Sequence, residues 1–287
     1  MEKQKRIAAI HDISCVGRCS LTVALPILSA AGLDTGVLPT AVLSTHTGEF
    51  SGFTYRDLTS ELRPISQHWQ SLGLRFDALY SGFLGSFAQI DLVAELFATF
   101  KTDQTLIMVD PVMGDNGQLY SVYSPEMAKG MTRLCAGADL IVPNFTEAAL
   151  MLDQPYHPGP YTQPQVETML LKLAALGPRQ VVLTGVWFSP DRLGASALDQ
   201  TTGQISYAWN KRVPGQFHGT GDVFGSALLA GLMNGFTLPE ALQIAVDFTH
   251  QCVEMTLAAK QERRYGVCFE RALPFLMGRL GLLQARH

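Results

Sequence analysis

Long apolar runs, clustered positive charge and a paired set of cysteines are all missing from this chain. Nothing approaches the roughly 20 consecutive apolar residues a membrane-spanning helix needs, and the apolar segment behind the charged start Met1-Glu2-Lys3-Gln4-Lys5-Arg6 runs only from Ile7 to Ile10, too short for a signal-peptide core. A cytoplasmic protein without a membrane partner is expected. The formal net charge is −4, and Lys and Arg form no patch beyond the pair Arg263-Arg264, which reads as solvated surface, so nucleic acid is not an expected partner. Cys15, Cys19, Cys135, Cys252 and Cys268 are an odd, scattered set, which argues against a disulfide framework. Cys15 and Cys19 could form a metal or redox pair, but no second Cys/His pair at ligand spacing accompanies them, and reduced thiols are expected. Two common phosphate signatures are absent as well. The chain has no G-x-x-x-x-G-K-[ST] loop, and no G-x-G-x-x-G behind an apolar strand, which disfavours a dinucleotide-dependent oxidoreductase.

What is present is a core-forming composition. With 287 residues, 47% hydrophobic and 16% charged, the chain fits one large α/β domain or two small ones. No linker, repeat or low-complexity tract divides it, and the Pro/Gly-rich stretch 154–160 reads as a surface loop, so one domain over 1–287 is expected. Short apolar runs predict strands at 6–10, 36–42, 78–81, 105–110, 138–143, 180–184, 194–199 and 204–210. Amphipathic segments predict helices at 20–31, 55–72, 87–100, 125–135, 146–152, 163–175, 221–234, 238–258 and 269–280. Alternation of the two implies a mainly parallel sheet with helices on both faces, and Gln200-Thr201-Thr202-Gly203 joins the last two strands as an antiparallel hairpin at the sheet edge.

The most informative segment is Gly219-Thr220-Gly221-Asp222, running into the apolar helix from Val223. Two glycines let several amides converge on one spot, and a helix N-terminus there favours negative charge. An acid at the mouth of such an anion hole repels the anion, so Asp222 needs a second reason to be there. Two are open: a general base that takes a proton from an attacking hydroxyl during phosphoryl transfer, or an ordinary helix cap. Ligands of parallel sheets bind beyond the carboxyl ends of the strands. There the chain carries Asp110 and Asp115 after one strand and Asn144 and Glu147 after the next. Asn144 could be an N-cap and Glu147 a dipole-compensating first-turn acid; together, though, hard oxygen ligands beside an anion hole suit a magnesium ion held partly through waters and nucleotide phosphates.

The segments Asp-Pro-Val-Met-Gly-Asp at 110–115, Pro-Asn-Phe-Thr-Glu-Ala at 143–148 and Gly-Thr-Gly-Asp at 219–222 are similar in wording, order and spacing to the ribokinase-like superfamily, most closely to its pyridoxal kinase branch. Ser44-Thr45-His46-Thr47-Gly48 resembles that branch's Ser-Asn-His-Thr-Gly, and Ser81-Gly82-Phe83-Leu84-Gly85-Ser86 its Ser-Gly-Tyr-Leu-Gly-Ser, so the likeness covers nearly the whole chain. The resemblance implies a three-layer ribokinase-like α/β fold and ATP-dependent phosphorylation of the 5′-hydroxymethyl group of pyridoxal, pyridoxine or pyridoxamine, by a protein that is often a homodimer. It implies that Asp222 is the base and that the amides of Gly219, Thr220 and Gly221 form the anion hole. Asp110, Asp115 and Glu147 would arrange magnesium, and Asp110, Asn144, Glu147 and Thr184 would meet the ATP phosphates. Adenine would lie between the Val213–Phe217 loop and the helix from Leu238, and Thr220 and Gly221 would also bind ATP. Asp12, Thr47, Phe83 and Asp222 would face the pyridine-type substrate, and 117–124, with Tyr120 and Tyr123 and no regular pattern, would be a flap excluding water.

Two departures stand out. Asp12 takes the place of a Ser after the first strand, which would favour a cationic or hydrogen-bond-donating ring, and Phe83 replaces a Tyr, keeping the stacking face without the hydroxyl. An aminopyrimidine substrate is therefore an alternative, since hydroxymethylpyrimidine kinases of the neighbouring branch carry Asp near this point; a catalytically silent nucleotide- or vitamin-binding relative is another. His11 and His46 are either substrate contacts or structural residues.

Overall fold

The computed structural model describes residues 3–120 and 123–283. Its centre is a nine-stranded sheet formed by β1 (Arg6–Ser14), β2 (Asp34–Leu43), β3 (Tyr55–Asp57), β4 (Ala78–Ser81), β5 (Leu106–Val109), β8 (Leu140–Ile141), β9 (Gln180–Val186), β10 (Arg192–Asp199) and β11 (Gln204–Lys211), while β6 (Gly114–Asp115) and β7 (Gln118–Leu119) form a separate small hairpin. The order across the sheet is β11-β10-β9-β8-β5-β4-β1-β2-β3. The six central strands are parallel; β10 and β11 form the antiparallel hairpin at one edge, as expected from the sequence, and β3 runs antiparallel to β2 at the other.

Helices cover both faces because the central strands are apolar on both. In β1, Ile7 belongs to one core cluster, with α1 (Leu21–Ala30), α7 (Thr220–Met233), α8 (Leu238–Ala258) and α9 (Leu273–Arg279). Its neighbours Ala8 and Ile10 belong to the other, with α2 (Thr59–Ser71), α3 (Phe87–Phe100), α4 (Pro125–Ala136), α5 (Phe145–Met151) and α6 (Gln163–Ala174). Strand alternation thus sends successive side chains into different layers. Caps fix where helices begin. Ser86 Oγ accepts from the Gln89 amide at the start of α3, Thr162 with Gln165 and Thr237 with Glu240 form reciprocal capping boxes, and Pro occupies the first turn of α4, α6 and α8.

Three expectations need correcting. The helix expected from Tyr55 begins only at Thr59, because Tyr55–Asp57 pairs with Ala41–Leu43 as β3, and the Asp57 carboxylate then receives the Thr59 amide. The helix expected over 269–280 contracts to Leu273–Arg279. The segment from Gly117 is not without pattern, since Gln118–Leu119 closes a hairpin on Gly114–Asp115 with Asn116 and Gly117 at positive φ; residues 121 and 122 of the expected flap lie outside the described residues.

Candidate active site

Of the two glycines expected to shape an anion-binding turn, one is required by the backbone. Gly219 is the N-cap of α7 at φ 76°, and a Cβ there would collide with the Arg18 carbonyl oxygen, so both backbone angle and crowding demand glycine. Gly221 is the opposite: a Cβ there would meet nothing within 4 Å, so its backbone borders open space. Thr220 Oγ1 donates to the Phe217 carbonyl at 3.1 Å and holds the turn closed. Asp222 stands in the first turn of α7, which has no side-chain cap, and no hydrogen bond among the described residues ties its carboxylate to the helix end. Its pKa is pushed up to about 7, first by burial and then by the charge of Asp12, against the opposing pull of the Ser20 amide. A carboxyl group poised there suits proton transfer better than capping.

Asp12 is buried at the end of β1, where it accepts from Ser20 Oγ at 2.5 Å and Ser14 Oγ at 3.2 Å. Burial raises its pKa against those two hydroxyls. Ser20 precedes α1 at φ 56°, so Asp12 anchors a backbone bend as well as acting on Asp222 through its charge. Cys19 lies beside both carboxylates; burial first, then Asp222 and Asp12, drive its thiol well above the usual range, so it is no thiolate nucleophile. Cys15 and Cys19 are both free, Cys15 exposed. Free thiols are what the sequence leads one to expect, with a metal or redox pair as the alternative; it gave no sign of Cys19's place beside Asp222.

The second group gathers at the ends of β5 and β8. Asp110 is buried, forms no ion pair among the described residues, and has its pKa raised by burial, Glu147 and Asp222 in that order. Glu147 accepts from the Met113 amide at 3.0 Å and the Asn144 amide at 2.8 Å, while Asn144 Oδ1 accepts from the Glu147 amide at 2.9 Å: Asn144 is the N-cap, and Glu147 completes a capping box with it. Asn144 Nδ2 also donates to the Gly114 carbonyl at 2.9 Å, and the Gly117 amide to Thr146 Oγ1 at 2.9 Å, so the β6–β7 hairpin hangs on the start of α5. Asp115 is exposed on that hairpin and accepts from Asn116. Thr184 bridges to Asn144 at the end of β9. Tyr123 donates its hydroxyl to the Leu84 carbonyl at 2.8 Å, its ring 5.9 Å from that of Phe83.

Thr47 is exposed on the loop after β2, between His46 and Gly48. His46 Nε2 lies 2.5 Å from the Arg264 carbonyl and Nδ1 accepts from the Gly48 amide at 3.1 Å, an arrangement that places the ring proton on Nε2 and leaves no free ring nitrogen. His11 is wholly buried against Tyr80, with both nitrogens unpartnered and its pKa lowered to about 3 by burial, so it presents nothing to the cleft. Val213 and Phe217 pack against the core beside α8, and the Arg263 guanidinium lies 4.7 Å over the Phe217 ring.

A helix N-terminus with an acid at its mouth, at the carboxyl end of a parallel three-layer sheet, defines a ribokinase-like phosphotransferase. The chain belongs to the phosphomethylpyrimidine kinase family, whose model matches residues 59–266. A protein of Bacteroides thetaiotaomicron, provisionally assigned as a phosphomethylpyrimidine kinase and crystallised with pyridoxal, superposes with a TM-score of 0.92 at 38% identity over 99% of this chain and 98% of its own. Pyridoxal kinase from Lactobacillus plantarum superposes with a TM-score of 0.88 at 32% identity, covering 96% and 98%. In sequence alone, the pyridoxine/pyridoxal/pyridoxamine kinase of Bordetella avium is 28% identical over 266 residues, 88% of this chain and 86% of that protein.

Proposed function

We propose that this chain transfers the γ-phosphoryl group of ATP to the 5′-hydroxymethyl group of a vitamin B6 vitamer, as a homodimer in the cytoplasm. The observation that carries the reading is Asp222: a carboxyl group with its pKa near 7, met by the Ser20 amide and not spent on capping, in the first turn of a helix that has no side-chain cap. Likeness to a protein crystallised with pyridoxal and to pyridoxal kinases supplies the ring. Asp222 takes the hydroxymethyl proton, and the amides of Gly219, Thr220 and Gly221 receive the charge that develops on the transferred group. Asp12, Thr47 and Phe83 border the ring; Val213 and Phe217 border adenine; Asp110, Asn144, Glu147 and Thr184 line the phosphate side. The hairpin after Gly114 supports a flap that keeps water out.

The donor chemistry suits magnesium. Asp110 and Glu147 are buried carboxylates whose pKa values are raised first by burial, then at Asp110 by the charges of Glu147 and Asp222 and at Glu147 by that of Asp115, a pattern a cation relieves. Among the described residues no three His, Cys, Asp or Glu side chains stand together as a ready cage, and both Glu147 oxygens already accept backbone amides. Asp110, Glu147 and Asp115 would therefore hold the ion largely through its waters and the ATP phosphates. When bound, it would neutralise phosphate charge.

An activity panel tests the proposal. With ATP and magnesium, the purified protein is expected to phosphorylate at least one of pyridoxal, pyridoxine and pyridoxamine; turnover confined to hydroxymethylpyrimidine would establish the second reading, which the family model and the Asp12 carboxylate favour, and no turnover on any of the four with nucleotide bound would sink both. Replacing Asp12 by Ser is expected to weaken pyridoxamine and the aminopyrimidine relative to pyridoxal by about 1–2 kcal/mol in kcat/KM, the usual gap between charged and neutral hydrogen bonds. Because Ser14 and Ser20 lose their acceptor, a fall in Tm should accompany it. An unchanged vitamer ranking beside a lowered Tm would confine Asp12 to the bend.

A further inference from the structure

The loop carrying Thr47 and the turn entering α7 touch through side chains that the transfer chemistry does not use. His218, the residue before Gly219, has Nε2 3.0 Å from Glu49 Oε1, and its ring centroid lies 5.0 Å from that of His46. Gly48 comes so near that a Cβ there would stand 2.7 Å from His218 Cε1 and 2.8 Å from Nδ1, so the loop backbone rests against the imidazole. The far side of the loop is pinned too. His46 holds the Arg264 carbonyl, and the Phe50 ring lies 4.9 Å from His46 and 5.3 Å from Tyr265, with the Arg264 guanidinium 5.6 Å above it. His218 is itself fixed, its carbonyl accepting from the Val267 amide at 3.2 Å, while Gly219 behind it abuts the Arg18 carbonyl. Thr47 thus sits between two residues that both lean on the turn supplying the anion hole.

A half-exposed pair such as Glu49 and His218 adds little to global stability. What it does is join two loops that would otherwise order separately. A ligand that fixes residues 44–50 restricts 218–221 in advance, and a ligand in the anion hole restricts the loop in return; thermodynamic linkage makes the two effects equal. We infer that the Glu49–His218 contact is a clasp through which ring substrate and nucleotide favour each other's binding, with Glu49 and His218 as positioning residues. The inference rests on the kinase reading above.

The test measures the dissociation constant of a non-hydrolysable ATP analogue with magnesium, with and without saturating pyridoxal, in wild type, Glu49→Gln, His218→Asn and the double variant. In wild type pyridoxal should tighten the nucleotide by about fivefold or more, the low end of ordinary coupling; in each single variant the factor should fall below about twofold, and the double variant should lose no more than either single. Affinity for nucleotide alone should stay within about twofold of wild type, and in steady state the KM for ATP should rise while kcat is kept. Gly48→Ala, which keeps both side chains but wedges the loop off His218, should reproduce the loss. Coupling that persists in the variants, or is absent in wild type, overturns the clasp. If wild type binds no vitamer at all, the kinase reading falls first and the clasp with it.

Discussion

Asp222→Asn is expected to lower kcat by at least ~100-fold, the lower end of what a positioned general base contributes, with nucleotide affinity unchanged or slightly improved by the loss of a charge near phosphate. Asn is as good a helix cap as Asp, so a capping role would leave turnover intact. The pH behaviour separates the two further. With its pKa near 7, Asp222 becomes a competent base only as pH rises through neutrality, so wild-type kcat should climb across that range and then level off, and the residual activity of the variant should lack that limb. Stability runs the other way. The folded pKa is raised from 3.8 to about 7, so between those values the native state binds more protons than the unfolded chain, and the contribution of this group falls as pH rises, remaining lost above 7. Asn carries no such penalty, so the variant should melt higher than wild type at pH 8 and much like it below pH 4. A variant that turns over normally would take Asp222 out of the chemistry; one inactive but less stable at pH 8 would contradict the environment described for it.

The two glycines of the turn should respond differently to the same substitution. Gly219→Ala forces a Cβ into the Arg18 carbonyl at a backbone angle that costs an ordinary residue about 1–3 kcal/mol, so it should lower Tm and, by displacing amides of the proposed anion hole, reduce kcat by roughly 10²–10³-fold. Gly221→Ala meets no neighbour and lies in a helix, where Ala is favoured over Gly by about 1 kcal/mol; Tm should hold or rise. Its Cβ enters the space proposed for the phosphates, so the penalty should fall on kcat/KM for ATP. Circular dichroism melts beside steady-state kinetics distinguish the pair. Full activity in Gly221→Ala would place the phosphates elsewhere.

Where the sequence spoke locally it was readable. The strand Ala78–Ser81 and the helices Phe87–Phe100 and Leu238–Ala258 match the expected limits, because apolar runs and capping residues mark them within a few positions. Asn144 was legible as a candidate N-cap and Glu147 as a first-turn acid, but their reciprocal bonding as a capping box is seen only in the structure. Tyr55–Asp57 was misread because a three-residue edge strand carries too short an alternation to compete with the amphipathic pattern that follows it. The closeness of His218 to Glu49, and of Cys19 to Asp222, had no local signature at all. Those contacts join positions far apart in the chain, and only the order of the sheet brings them together.

That long reach also sets a timetable. The turn proposed to bind phosphate rests on Arg18, whose amide bonds the Tyr265 carbonyl and whose guanidinium pairs with Glu270, while His218 leans on Val267. The contacts that back this turn join residues near 18 to residues 265–270, so a chain emerging N-terminus first can lay down its central parallel strands well before the proposed phosphate site has a back to it. Contacts of such separation form late and slowly. A ribosome-bound chain ending near residue 260 should already protect the amides of β1, β4 and β5 from exchange and yet bind no nucleotide; competence would arrive as one event, when the segment 263–270 closes over Arg18.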